Sequence, residues 1–270
     1  MKIGRMFCAV IFASFLGGCT SDLVSPPYED HPNLKAAEIA RARGDVPQAI
    51  KSYRDIITEC PGCMKAYLGL GMALIDANAL VEAKQAFDKA IALFPKSSGA
   101  FTGLGLVYLL IDQPENAINA FDNALKYNPR NARAFNGYGI ALDMINDHEV
   151  AQANYRAAME LEPTNISFES NLALSMALAG NESEAIRILE RLVRCPNVTP
   201  RIRQNLALAY GLAGDIRQAK NVGRVDLPDD MVMNNVTYFE VIQQTRQYSG
   251  LIPKDNTTSL NETRVWQGRN

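Results

Sequence analysis

The sequence predicts an all-α, right-handed superhelical solenoid of about six stacked helix pairs, and three observations predict it. Pro61, Pro95, Pro129 and Pro163 stand 34 residues apart, and a fixed period of roughly 20–50 residues marks a stacked-repeat architecture. Between the prolines, apolar residues recur at the three- and four-residue spacing that gives a helix one buried face. No segment alternates with the period of two that a half-buried strand requires.

Each unit can be followed in order. The window 64–97 places Tyr67, Leu70, Gly71, Leu74, Ala83, Phe87, Ala90 and Pro95 in a series of large, small and aromatic positions. The next window repeats the series with Phe101, Leu104, Gly105, Tyr108, Ala117, Phe121, Ala124 and Pro129. A third gives Phe135, Tyr138, Gly139, Leu142, Ala151, Tyr155, Ala158 and Pro163. Upstream, Ala37, Gly44, Ala49, Tyr53, Ile56 and Pro61 keep the phase. Downstream, Leu172, Ala173, Met176, Gly180, Ala185, Leu189 and Leu192 continue it, with the proline displaced to Pro196. A sixth copy holds Leu206, Ala207, Tyr210, Gly214 and Ala219, but its aromatic position falls on Gly223, as suits an end unit with one neighbour. In length and pattern the series closely resembles the tetratricopeptide repeat (TPR) family.

Elementary chemistry accounts for the pattern. Gly71, Gly105 and Gly139 let paired helices approach, and Phe87, Phe121 and Tyr155 fill the space beside the next unit. Each proline follows a second helix, where a missing N–H and a locked φ prevent continuation. Gly44-Asp45 and Gly214-Asp215, with Asn78, Asp112 and Asn146 at matching positions, suit a helix stop followed by a new cap.

The N-terminus differs. Lys2 and Arg5 precede the apolar run Met6 to Leu16, which ends in Leu16-Gly17-Gly18-Cys19. A positive start, a short apolar core and small residues before the cut read as a secretory signal over 1–18. The final four residues resemble a bacterial lipobox, which implies lipidation of Cys19; an ordinary signal peptide or an uncleaved anchor are the other readings. The absence of Asp at Thr20 resembles the pattern of lipoproteins sent to the outer membrane, and attached acyl chains add roughly 0.8 kcal/mol per buried methylene. Residues 19–32, with three prolines, read as a tether to a solenoid over 33–228. A capping helix is expected over 229–248 and a disordered tail, carrying the single tryptophan Trp266, over 249–270.

Charge and chemistry narrow the function. The chain has 27 basic and 29 acidic residues, and removing Lys2 and Arg5 leaves a net charge of about −4. A nucleic-acid binder needs a basic stripe, and none is present. Cys60-Pro61-Gly62-Cys63 admits three readings: a disulfide bracing the turn between the first two units, free thiols, or a redox motif. The last wants a strand before its first cysteine, whereas Cys60 closes a helix. Cys195 is expected to be a buried thiol. Zinc would need more ligands than His31 and His148 supply, so no metal or other cofactor is expected. No nucleophile motif, P-loop or His-Glu-x-x-His is present, and the chain is not expected to be an enzyme.

The TPR resemblance implies a concave groove lined by the first helices. One groove position carries Met72, Leu106, Ile140, Leu174 and Leu208 in successive units, where the family often has a polar residue. That apolar row suits a partner helix or peptide, or else fills the inside of a tightly wound stack. Beside it stand Arg133, Asn136, Asn171, Arg201, Gln204 and Asn205, which suit a partner's backbone or a terminal carboxylate. The ending, Asp226-Leu227-Pro228 and then Asn235-Val236-Thr237-Tyr238-Phe239, resembles the TadD family of outer-membrane TPR lipoproteins. That resemblance implies a periplasm-facing scaffold for assembly of a Tad (Flp) pilus, with a secretin or other pilus-assembly component as partner. A pilotin-like lipoprotein of type IV pilus or type II secretion systems, an adaptor for periplasmic cell-wall enzymes, and a redox protein using Cys60 and Cys63 are the rival readings.

Overall fold

The structure is a computed structural model and describes residues 31–249; the predicted signal, Cys19 and the tail from 250 onward lie outside them. Among the described residues there are thirteen α-helices and no strand. Six antiparallel pairs come first: α1 (Leu34–Ala42) with α2 (Val46–Glu59), α3 (Met64–Asp76) with α4 (Leu80–Leu93), and α5 (Ser98–Leu110) with α6 (Pro114–Tyr127). They continue as α7 (Ala132–Met144) with α8 (His148–Leu161), α9 (Ile166–Leu178) with α10 (Glu182–Leu192), and α11 (Pro200–Leu212) with α12 (Ile216–Gly223), before a final α13 (Asp229–Ser249). The expected all-α repeat superhelix is the observed fold.

The turn inside each pair is written by one residue. Gly44, Asn78, Asp112, Asn146, Gly180 and Gly214 all have φ between 55° and 90°, and they recur every 34 residues. Only glycine, or asparagine and aspartate at modest cost, adopts this left-handed conformation readily. The following N–H then reaches back to the last turn, as in Ala79 to Leu74 and Asp147 to Leu142 (2.8 and 2.9 Å), which satisfies carbonyls that the helix end leaves open. Asp45, Asp147 and Asp215 open the second helices by accepting an N–H from Gln48, Val150 and Gln218.

Packing between units follows a wedge-and-socket pattern. A Cβ added to Gly71 or Gly103 would lie 2.5 or 2.1 Å from the ring of Phe87, and one added to Gly105 or Gly137 would meet Phe121 at 2.6 or 2.3 Å. Each ring therefore sits between a glycine of its own unit and a glycine of the next. Tyr53 against Gly69 and Tyr155 against Gly139 are the same contact at the ends of the series. The rings are almost wholly buried, each contributing about 1.5–3 kcal/mol of hydrophobic stabilisation. Ala49, Ala83, Ala117, Ala151 and Ala185 hold the pairs close, all with no exposed surface.

This packing sets the curvature. Each first helix touches the next first helix, whereas the backbones of successive second helices stand apart, crossed only by side chains such as the Arg54–Glu82 pair at 2.7 Å. First helices thus line the inner face. α9 and α11 make a more extended contact than any other first-helix pair, so the inner face is tightest there.

The end of the stack is closed by α13. Val232, Val236, Phe239 and Ile242 are buried against α11 and α12, with the Phe239 ring on Gly211. Met231 is only half-buried. Gln243 donates to the carbonyls of Gly211 and Leu212 at the end of α11 (3.2 and 2.6 Å). The opposite face of α13 is exposed and carries Asn234, Thr237, Glu240 and Gln244 beside the apolar Met233 and Val241. The Asp226 carboxylate, just before it, accepts two bonds from the Arg203 guanidinium (2.7 and 2.6 Å). That fork holds the Arg203 charge, raising its pKa, and pins the connection to α11.

Candidate functional site

The inner face is built from one side of α3, α5, α7, α9 and α11. Met72, Leu106, Ile140 and Leu174 share one register on the first four and are half-buried. Each packs by one flank on the core of its own unit and leaves the other toward the groove. Leu208, the fifth member, is buried, with 5 % exposed, because α9 and α11 are drawn together at that level. The row is therefore open over four units and closed at the sixth.

The polar residues divide the same way. Arg133 and Arg201, each the second residue of its helix, are exposed. Asn171 Nδ2 donates to Asn136 Oδ1 at 2.8 Å, forming an amide rung between α7 and α9 that stays half-buried. Gln204 is half-buried as well. Asn205 is not a groove residue: it is 2 % exposed and donates to Ser170 Oγ at 3.0 Å between α9 and α11. Register alone places Asn205 beside the groove, but the closer approach of these helices converts it to a buried inter-unit bond.

Beneath the groove lies a polar cluster that periodicity does not reveal. The buried Asp143 carboxylate meets His148 Nδ1 (2.8 Å), the Tyr155 hydroxyl (2.8 Å) and the Ser175 hydroxyl (2.7 Å). Burial, and then the Asp143 charge, push the Tyr155 phenol well above its ordinary value. Serine, histidine and aspartate are thus brought together, but the Ser175 hydroxyl bonds to the carboxylate and the His148 carbonyl (3.4 Å). A nucleophile would bond to the imidazole ring instead, so the cluster ties α7, α8 and α9 together. Farther along, the Tyr210 hydroxyl donates to Glu190, and burial followed by this bond raises its pKa to about 12.

Cys60 and Cys63 are joined as a disulfide, with Cα atoms 5.5 Å apart. Cys195 is half-exposed rather than buried. α10 stops at Leu192 and an irregular stretch through Thr199 follows, so the cysteine leaves the packed face. No group of three or more His, Cys, Asp or Glu side chains among the described residues is arranged to hold a metal.

Stacked helix pairs with a lined inner face define a class of repeat proteins that serve as protein-interaction scaffolds. Residues 34–98 and 102–166 match the tetratricopeptide repeat and belong to that family, and α9 to α12 continue in the same phase. Among solved structures, it is similar to a tetratricopeptide repeat protein from Parabacteroides merdae ATCC 43184 (14 % identity, TM-score 0.62, covering 77 % of this chain and 82 % of that one). It is also similar to the thermophilic TPR protein TTC0263 of Thermus thermophilus (20 %, TM-score 0.59, 65 % and 96 %) and to Pseudomonas aeruginosa pilF (22 %, TM-score 0.53, 70 % and 89 %). At these identities the likeness is one of fold. No curated protein matches the chain.

Proposed function

We propose that this chain is an outer-membrane, periplasm-facing lipoprotein adaptor that captures a segment of a pilus-assembly component in its inner face and holds it at the membrane. The observation that carries the reading is the open row Met72, Leu106, Ile140 and Leu174, four apolar side chains in one register on adjacent helices. Such a row matches the stripe of an amphipathic helix or an apolar peptide. The Asn136–Asn171 rung and the exposed Arg133 and Arg201 flank it and would bond the segment's backbone and an acidic group. The Leu16-to-Cys19 motif supports the lipid anchor, and the ending from Asp226 to Phe239 supports a Tad system with a secretin or an associated component as partner.

The test is affinity capture of the lipidated protein from detergent-solubilised envelopes beside a Cys19→Ser control. Recovery of a secretin or another Tad component, lost or reduced in the control, is the expected outcome. Recovery of cell-wall hydrolases without any secretin would replace the pilus role with the wall-enzyme adaptor. A secretin of a type IV pilus or type II system would replace it with the pilotin-like role.

A further inference from the structure

The first inter-unit junction is built differently from the others. α5, α7 and α9 begin on Ser97, Asn131 and Asn165, whose side-chain oxygens accept N–H groups of Ala100, Ala134 and Ser167. α3 begins on Cys63, whose sulfur is bonded to Cys60, the residue that ends α2. A covalent bond therefore stands where the next three junctions have a polar cap. Cys63 is also part of the first unit's core, packed with Leu34, Ala37, Tyr53 and Ile56, and is 2 % exposed, whereas Cys60 is half-exposed. The Tyr67 hydroxyl bonds the Pro61 carbonyl inside the four-residue ring at 3.3 Å. The unit so fastened is the first among the described residues and has a short leading helix of nine residues.

We infer that the Cys60–Cys63 bond is a thiol–disulfide exchange site that controls the docking of the first helix pair. The co-reactant is a thiol or dithiol reductant. Its thiolate attacks Cys60 Sγ, on the more exposed residue of the pair; a new S–S bond forms there, the Cys60–Cys63 bond breaks, and its electron pair leaves on Cys63 Sγ. That sulfur lies at the N-terminus of the 13-residue α3, where the helix dipole favours negative charge. A proton from water then neutralises it, and a second thiol displaces Cys60, so that two thiols become one disulfide and the protein gains two. Reduction would leave the first junction held by the chain, the Cys63 N–H to Cys60 carbonyl bond (3.0 Å) and the packing of Tyr53 on Gly69, without the side-chain cap that the next three junctions have, and so the most loosely fastened of these four. The inference does not depend on what the groove binds.

Glutathione is the probe, applied to the full chain at millimolar concentration, followed by rapid alkylation and peptide mapping. The mixed disulfide is expected on Cys60, at least about tenfold over Cys63, with Cys63 alkylated. A bond that resists glutathione for hours, or an adduct chiefly on Cys63, would overturn the inference. Amide hydrogen exchange of the reduced protein gives the second reading. Residues 34–59 should exchange at least about tenfold faster on reduction while residues 98–144 are unchanged. Equal exchange in both redox states would leave the bond a passive brace and remove the control. A Cys60→Ala, Cys63→Ala variant, which adds no polar cap at position 63, should match the reduced protein in both segments.

Discussion

Units two and three and unit five solve one packing problem in opposite ways. In units two and three the wedge is large and its sockets are empty: Phe87 lies between Gly71 and Gly103, and Phe121 between Gly105 and Gly137. In the fifth unit the wedge is Leu189, and the matching sockets hold Ala173 and Asn205. The bulk has moved from the wedge into the sockets. The consequence lies on the inner face. Around aromatic wedges the row at Leu106 and Ile140 stays half-open, whereas α9 and α11 close over Asn205 and Leu208. A groove thus opens in the middle of the stack and ends against a sealed terminus.

The largest expected effect comes from removing a wedge. Phe121→Ala should cost about 3–5 kcal/mol in urea unfolding, and Leu189→Ala about 2–5 kcal/mol, since both side chains are fully buried. An exchange of sockets sharpens the comparison. Gly137→Ala alone places a methyl 2.3 Å from the Phe121 ring and should cost about 1–3 kcal/mol. Combined with Phe121→Leu, which imports the smaller wedge of the fifth unit, the alanine should be better tolerated, with a coupling of about 0.5–3 kcal/mol in a double-mutant cycle. Strict additivity would break the volume-exchange account.

Next in size is the sealed region's response to alkali. Tyr210 has its pKa raised to about 12 in the folded protein against an ordinary 10.0. Above pH 10 the unfolded chain releases this proton and the folded chain keeps it, so stability falls as pH rises from about 10 to 12. The loss should be on the order of 1–2 kcal/mol and absent in Tyr210→Phe, as read by thermal unfolding across that window. The smallest effect on stability belongs to the open row. Ile140→Gln should cost no more than about 1 kcal/mol, because one flank of the side chain already faces water.

Much of this was legible because it repeats. The positive-φ turn residues, the wedges and the prolines are each fixed by a local requirement, so the 34-residue period exposes them together. The sockets Gly69, Gly103 and Gly137 recur just as strictly. Yet their role appears only when the aromatic of the preceding unit is seen against them, a contact between units that helical spacing does not encode. Curvature is likewise illegible from register. Asn205 and Leu208 occupy the same phase as Asn171 and Leu174, and only the closer approach of α9 and α11 buries them. The Asp143 cluster joins residues 32 apart across units through side-chain geometry alone. Cys195 escaped because α10 ends early, and nothing near Leu192 announces that stop as Pro163 announces the end of α8.

The central claim is that the open middle of the inner face, and neither the sealed end nor the cap, receives the partner. Photo-crosslinking tests it most directly, with a photoreactive residue placed in turn at Leu106, Ile140 and, on the exposed side of the cap, Val241, in living cells that express the protein. Adducts to one envelope protein from positions 106 and 140, and none from 241, are the predicted result. Adducts from position 241 alone, with the groove positions silent in a folded protein, would contradict it and reduce the apolar row to packing.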